Sequence, residues 1–354
     1  MSPIFTITIE FVCYQISNYP LEAPFGNPNL ANFSAAKVHR SMNIDNPADT
    51  TDKTNHWFNL LMIVIYAVTG LFVGNFVGLI AVLPFYGFDP MEALVQITNV
   101  SNPDSRLPLM IMQGLTALFA FILAPYWFLR KYKTSSITKL FTTPSDFLLP
   151  TVVVVAITIS FMFVNSIFIE WNQGIDFPEA LDWFEQYAME QEETLEKVTI
   201  FLTSFDNIWQ FLIAFVVIAM IPAVGEELLF RGIIQNEFFN ATKNIHIAIW
   251  GSAFFFAFFH LQFYGLVPRM LLGALFGYLY YWSGSLTYAS IAHFVNNGFT
   301  LVMLYLHQQG LISFDIQETE STPLETVVIF LIIGGILTYI FVRYHQKKLT
   351  PLNE

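Results

Sequence analysis

The sequence predicts an all-α, polytopic transmembrane bundle, and three observations carry that expectation. Of its 354 residues 55% are hydrophobic and only 12% are charged, and the mean hydropathy is +0.54, a balance too apolar for an ordinary soluble globule. Long apolar runs recur from about residue 57 toward the C-terminus, each near the roughly 20 residues that cross a hydrocarbon core as a helix. The ionisable groups within those runs gather at a few places instead of scattering, as expected when each one costs a few kcal/mol to insert.

Taken in order, residues 1–50 mix Pro, Asn and Ser with short apolar stretches and lack the basic start and small-residue cleavage site of a secretory signal. From Met42 onward the chain reads as a polar lead into the first span, so residues 1–41 are expected to be a dispensable extension or a misassigned start. The spans expected by hydrophobicity are 57–84, 107–129, 147–169, 207–225, 247–263, 269–282, 286–307 and 324–342, about eight in all. The fifth and sixth are separated only by residues 264–268, and a re-entrant pair is the alternative there. The resulting division is an N-terminal extension over 1–50, a transmembrane domain over 51–345 and a tail over 346–354.

Orientation follows from Lys and Arg in short loops. Arg130, Lys131, Lys133 and Lys139 follow the second span, and Arg343, Lys347 and Lys348 follow the eighth. Both clusters are expected on the cytoplasmic side, and an even number of spans then places both termini there. The 170–206 loop falls outside. It holds nine of the 27 acidic residues, between Glu170 and Glu196, with no Lys or Arg among them. Within it Leu181, Phe184, Ala188, Leu195 and Val198 recur at near-helical spacing beside Trp183 and Tyr187, which predicts a surface helix resting on the membrane interface. A solvated linker is the alternative.

Composition excludes several classes. The single Cys13 rules out an intrachain disulfide and a cysteine metal cluster. The net charge of −12 comes without any basic and aromatic interleaving, so nucleic acid is not an expected partner. The bilayer is one.

Three polar groupings interrupt the apolar pattern: Gly225-Glu226-Glu227-Leu228-Leu229-Phe230-Arg231, Phe256-Ala257-Phe258-Phe259-His260, and His293-Phe294-Val295-Asn296-Asn297. Glu227 and Arg231 stand four apart with the acid first, the favourable order for a helical ion pair. Glu226 points elsewhere and is left free for chemistry as a general base. The competing reading is an interfacial charge cluster at a helix end. His293 and Asn297 share one helix face and can aim two donors at one point, as an oxyanion requires, although a lone His in an apolar run more often serves helix packing. Pro222 and Gly225, just before the carboxylates, are expected to loosen the helix there.

In order and spacing, Glu-Glu-x-x-x-Arg at 226–231, Phe-x-x-x-His at 256–260 and His-x-x-x-Asn at 293–297 resemble the CAAX protease and bacteriocin-processing (CPBP) family of intramembrane proteases, also called the CAAX amino-terminal protease or Abi family. The resemblance implies that Glu226 and His260 activate a water for attack on a scissile carbonyl. It implies that His293 and Asn297 stabilise the oxyanion and that Glu227 with Arg231 fixes the shape of the site. The substrate would be a peptide or protein with a membrane-proximal cleavage site, and the location a bacterial plasma or inner membrane. The family has also been described as metal-dependent, and Zn²⁺ held by Glu226, His260 and His293 is the metallo version. Metal-free glutamate catalysis is the expectation set against it. The chain lacks His-Glu-x-x-His, Gly-x-Ser-Gly and an Asp pair within the spans, which sets aside zincin, serine and aspartyl intramembrane chemistry. The alternative functions are a catalytically silent immunity or scaffold protein and a proton-coupled transporter. The latter is disfavoured because no second copy of the polar motifs appears in the first half.

Overall fold

The computed structural model describes residues 55–132, 137–142, 147–313 and 322–349. The expected extension over 1–50 with Met42, Lys133 of the basic cluster, and residues 350–354 of the tail lie outside the described residues. The described residues are helical and carry no strand.

The helices, in chain order, are α1 (His56–Val82), α2 (Pro90–Ile97), α3 (Pro103–Tyr132), α4 (Leu148–Gln173), α5 (Asp182–Thr203), α6 (Ile208–Thr242), α7 (Ile245–Phe258), α8 (Leu266–Ser283), α9 (Leu286–Gln308) and α10 (Leu324–Leu349). Polar caps fix several of the starts. Asn55, Asp89, Asn207, Asn244 and Ser285 each accept a hydrogen bond from a backbone N–H in the first turn of the helix that follows, satisfying donors that have no carbonyl within the helix.

Among the described residues six helices are long and apolar enough to cross a membrane: α1, α3, α4, α6, α9 and α10. The fifth and sixth expected segments are α7 and α8, helices of 14 and 18 residues that pack on each other. The fourth segment departs most from expectation. Hydrophobicity alone ends it near residue 225, yet α6 continues to Thr242. The continuation is possible because its charges are neutralised inside the protein: Glu227 and Arg231 are fully buried, as is Gln235, and Glu237 nearly so.

Close packing holds the bundle together. Gly70, Gly74 and Gly78 line the buried face of α1. A Cβ at Gly70 would lie 2.7 Å from the Phe119 carbonyl oxygen, and one at Gly74 would lie 2.7 Å from Thr116 Cα. The α1 and α3 backbones therefore touch, the small-residue packing through which helices associate where lipid offers no hydrophobic gain.

The helix expected in the acidic loop is α5. Phe184, Ala188, Leu195 and Val198 turn inward, whereas Trp183 and Tyr187 are exposed. Leu181 is the exception: it precedes the helix, on the short turn Glu179–Leu181, and is exposed. Phe184 joins Phe177 and Phe263 in an edge-on aromatic cluster that ties α5 to the turn before α8.

Candidate active site

Helix α6 carries the first polar grouping on a stretch whose winding widens twice, at Phe215–Met220 and again at Phe230–Gln235, where π-helical turns replace α-helical ones. Such turns release carbonyls from the regular ladder. Pro222 adds to this, because it has no N–H to give to the Ile218 carbonyl four residues back. Asn297 supplies the missing donor from α9, with Nδ2 donating to Ile218 O at 3.1 Å. Ser252 on α7 does the same at the second widening, donating to Phe230 O at 2.8 Å.

Glu227 and Arg231 form the expected pair. Arg231 Nη1 donates to Glu227 Oε1 at 2.7 Å, with both side chains at zero exposure. The same oxygen lies 2.8 Å from His293 Nδ1, which assigns the proton to that nitrogen because the carboxylate can only accept. Arg231 Nη2 donates onward to Gly273 O at 2.8 Å. Its guanidinium lies over the rings of Phe256 and Phe276, at 4.6 and 5.4 Å, and Phe276 also stacks on the His293 ring. The buried charges are thus enclosed by π faces and by the Gly273 carbonyl.

That reach depends on α8. Gly273 and Gly277 stand four apart, opposite Arg231 and Gln235, which are also four apart. Gln235 Nε2 donates to Gly277 O at 3.3 Å. A Cβ at Gly277 would lie 2.7 Å from Gln235 Oε1, and one at Gly273 would lie 3.1 Å from Arg231 Nη2. Hydropathy and motif spacing gave no weight to these glycines; the signal that locates them is their i,i+4 match to Arg231 and Gln235.

Glu226, the neighbour of Glu227, has a different environment. It has no hydrogen-bond partner among the described residues, keeps 13% of its side chain exposed, and approaches a basic side chain no closer than 4.0 Å, from its Oε2 to His293 Nε2. It faces a cavity of about 340 Å³ that is also lined by His260, His293 and Asn297, with Gln113, Asn296 and Arg269 among its other polar walls. His260 sits in the turn after α7 with its Nδ1 held by the Phe256 carbonyl at 2.7 Å, so Nε2 is the nitrogen left for the cavity. Every site residue expected from sequence is therefore at this cavity or, for Glu227 and Arg231, directly behind it. Asn297 differs in one respect: one of its amide N–H groups is committed to Ile218, and its Oδ1 accepts from Asn296 at 3.0 Å.

As donors for Zn²⁺, Glu226 and His293 are close enough to share an ion. Among the described residues, however, no three His, Cys, Asp or Glu side chains are gathered as a metal-binding group, and His260 does not complete the set.

The family model described as Type II CAAX prenyl endopeptidase Rce1-like matches residues 208–299. No curated protein and no solved structure matches the chain. The matched interval runs from the start of α6 into α9 and so contains all three polar groupings. Residues 208–299 are accordingly similar to that family, which is consistent with the resemblance to the CAAX protease and bacteriocin-processing family.

Proposed function

We propose that the chain is an intramembrane endopeptidase that hydrolyses peptide bonds in or near the bilayer, in line with the endopeptidase family whose model it matches. One observation carries the reading: of two adjacent glutamates, Glu227 is fully engaged by Arg231 and His293, whereas Glu226 is unengaged and faces the cavity that His260 also lines.

In this mechanism a water placed between Glu226 and His260 Nε2 loses a proton to the Glu226 carboxylate as its oxygen attacks the scissile carbonyl carbon. The carbonyl π bond opens and its electron pair becomes the oxyanion. In its doubly protonated form His293, held by Glu227 through Nδ1–H, presents Nε2–H to that oxyanion, and the second N–H of Asn297 or its neighbour Asn296 completes the hole. The C–N bond then breaks, and the proton on Glu226 passes to the departing amine. Arg231 holds Glu227 in place throughout, so His293 keeps its orientation. No step is routed through a metal, because the donors present do not form a three-ligand set.

The same reading counts α7 and α8, the fifth and sixth expected segments, as membrane segments beside the six long helices, and puts the Arg130–Lys131 and Arg343 ends on the cytoplasmic side of a multi-pass protein. Blocking accessible cysteines introduced at Lys131 and Trp183 from each face of sealed vesicles tests the orientation. The activity is tested by quantitative proteomics of membranes carrying the wild-type chain or Glu226→Gln. Peptides that accumulate only with the variant are the expected substrates, and identical membrane peptide profiles contradict the reading.

A further inference from the structure

Arg269 is a cation with no carboxylate in contact with it among the described residues. It lies in the first turn of α8 and lines the same cavity as Glu226, His260 and His293. Its Nη2 donates to Gln262 Oε1 at 2.6 Å, its Nη1 is buried without a partner, and no carboxylate among the described residues lies within ion-pair distance of it. Arg231 provides the contrast in the same site, with its charge met by Glu227 at 2.7 Å. A guanidinium offers five donors in a planar fork that matches a carboxylate, and leaving one charged and unmatched beside an apolar bundle is costly unless a ligand supplies the anion.

The position of Arg269 is also fixed from two sides. On α4, Asn172 Nδ2 donates to Phe263 O at 3.2 Å while its Oδ1 accepts from Val267 N at 2.9 Å, and Asn165 Nδ2 donates to Pro268 O at 3.3 Å. These buried amides clamp the turn that leads into α8. From the other side Gln262, which holds Arg269, is itself held by Glu192 on α5, with Nε2 donating to Glu192 Oε1 at 2.9 Å. The nearest acid on α5 is therefore kept at one side chain's remove from the guanidinium. That arrangement orients the cation without consuming its charge.

We infer that Arg269 is a specificity-determining residue of the cavity, recognising a carboxylate of the bound peptide, with Gln262 and Glu192 as positioning residues. The inference rests on the endopeptidase reading for the identity of the ligand as a peptide, and it assigns the chemistry at one end of that peptide. The carboxylate comes either from a free C-terminus or from an acidic side chain. Arg269→Gln removes the charge, Arg269→Lys keeps it without the fork, and Gln262→Leu releases the guanidinium from its guide.

The test measures binding, not cleavage, on the full chain carrying Glu226→Gln in detergent, so that it is independent of turnover. The probe is a labelled eight-residue peptide of Ala, Val and Leu in three forms: a C-terminal acid, a C-terminal amide, and an amide with one internal Glu. At least one carboxylate form is expected to bind about tenfold more tightly than the neutral amide. The ratio should collapse toward one in Arg269→Gln and recover in part in Arg269→Lys. No carboxylate preference in the parent protein, or the same preference in Arg269→Gln, overturns the inference. A protein that shows the preference yet never cleaves a peptide removes the hydrolase while leaving the role of Arg269 standing.

Discussion

His293 Nδ1 and Arg231 Nη1 meet on one oxygen of Glu227, at 2.8 and 2.7 Å. A residue from α9 and a residue from α6 are thereby locked to one buried carboxylate. This junction, not the adjacent Glu226, holds the rings and helices of the site in place.

Removing one partner of this junction leaves an uncompensated buried charge. Arg231→Met and Glu227→Ala are each expected to destabilise the protein by about 3–5 kcal/mol, read as a lowered midpoint in thermal unfolding in detergent. The double variant Glu227→Leu with Arg231→Met should lose less than the sum of the two, because no charge remains unpaired.

The exchange of bonding between Pro222 and Asn297 predicts a coupling of its own. Asn297→Ala orphans the Ile218 carbonyl and should cost about 1–3 kcal/mol. In a Pro222→Ala background the helix regains an N–H at that position, so the same substitution should cost less, and a double-mutant cycle on unfolding reads the difference. Equal costs in both backgrounds would show that Asn297 acts only toward the cavity.

Gly273→Ala and Gly277→Ala place a methyl against Arg231 Nη2 and Gln235 Oε1, respectively. Each is expected to cost about 1–3 kcal/mol through overpacking, with Gly277→Ala the more severe because its approach is 2.7 Å against 3.1 Å. Unfolding midpoints of the two variants rank them.

Glutamate-driven hydrolysis without a bound metal predicts that cleavage survives exhaustive chelation and that elemental analysis of active protein finds metal below one equivalent. Loss of cleavage on chelation that returns with added Zn²⁺ would instead assign Glu226 and His293 as ligands.

Much of this architecture is legible in the sequence, because lipid imposes simple rules on it. Apolar length located α1, α3, α4, α9 and α10, and the cost of burying charge made Glu226, Glu227, Arg231, His260 and His293 conspicuous. The i,i+4 spacing of Glu227 and Arg231 foretold their ion pair. What hydropathy missed has a common cause. The second half of α6 reads as polar because the groups that neutralise its charges, His293 and the Gly273 carbonyl, are distant in sequence. Gly273, Gly277 and Ser252 serve through backbone proximity or a single hydroxyl, which leaves no trace in apolar periodicity. The commitment of Asn297 to Ile218 depends on a π-helical turn beside a proline, a geometry that side-chain spacing alone does not specify.

The most direct test of the account compares Glu226→Gln with wild-type protein in one reconstituted preparation, recording the cleavage rate of the accumulating membrane peptides alongside the unfolding midpoint. The account predicts a rate loss of about 100- to 10,000-fold with the midpoint unchanged, since the Glu226 side chain makes no hydrogen bond among the described residues. Full residual cleavage in Glu226→Gln would contradict it.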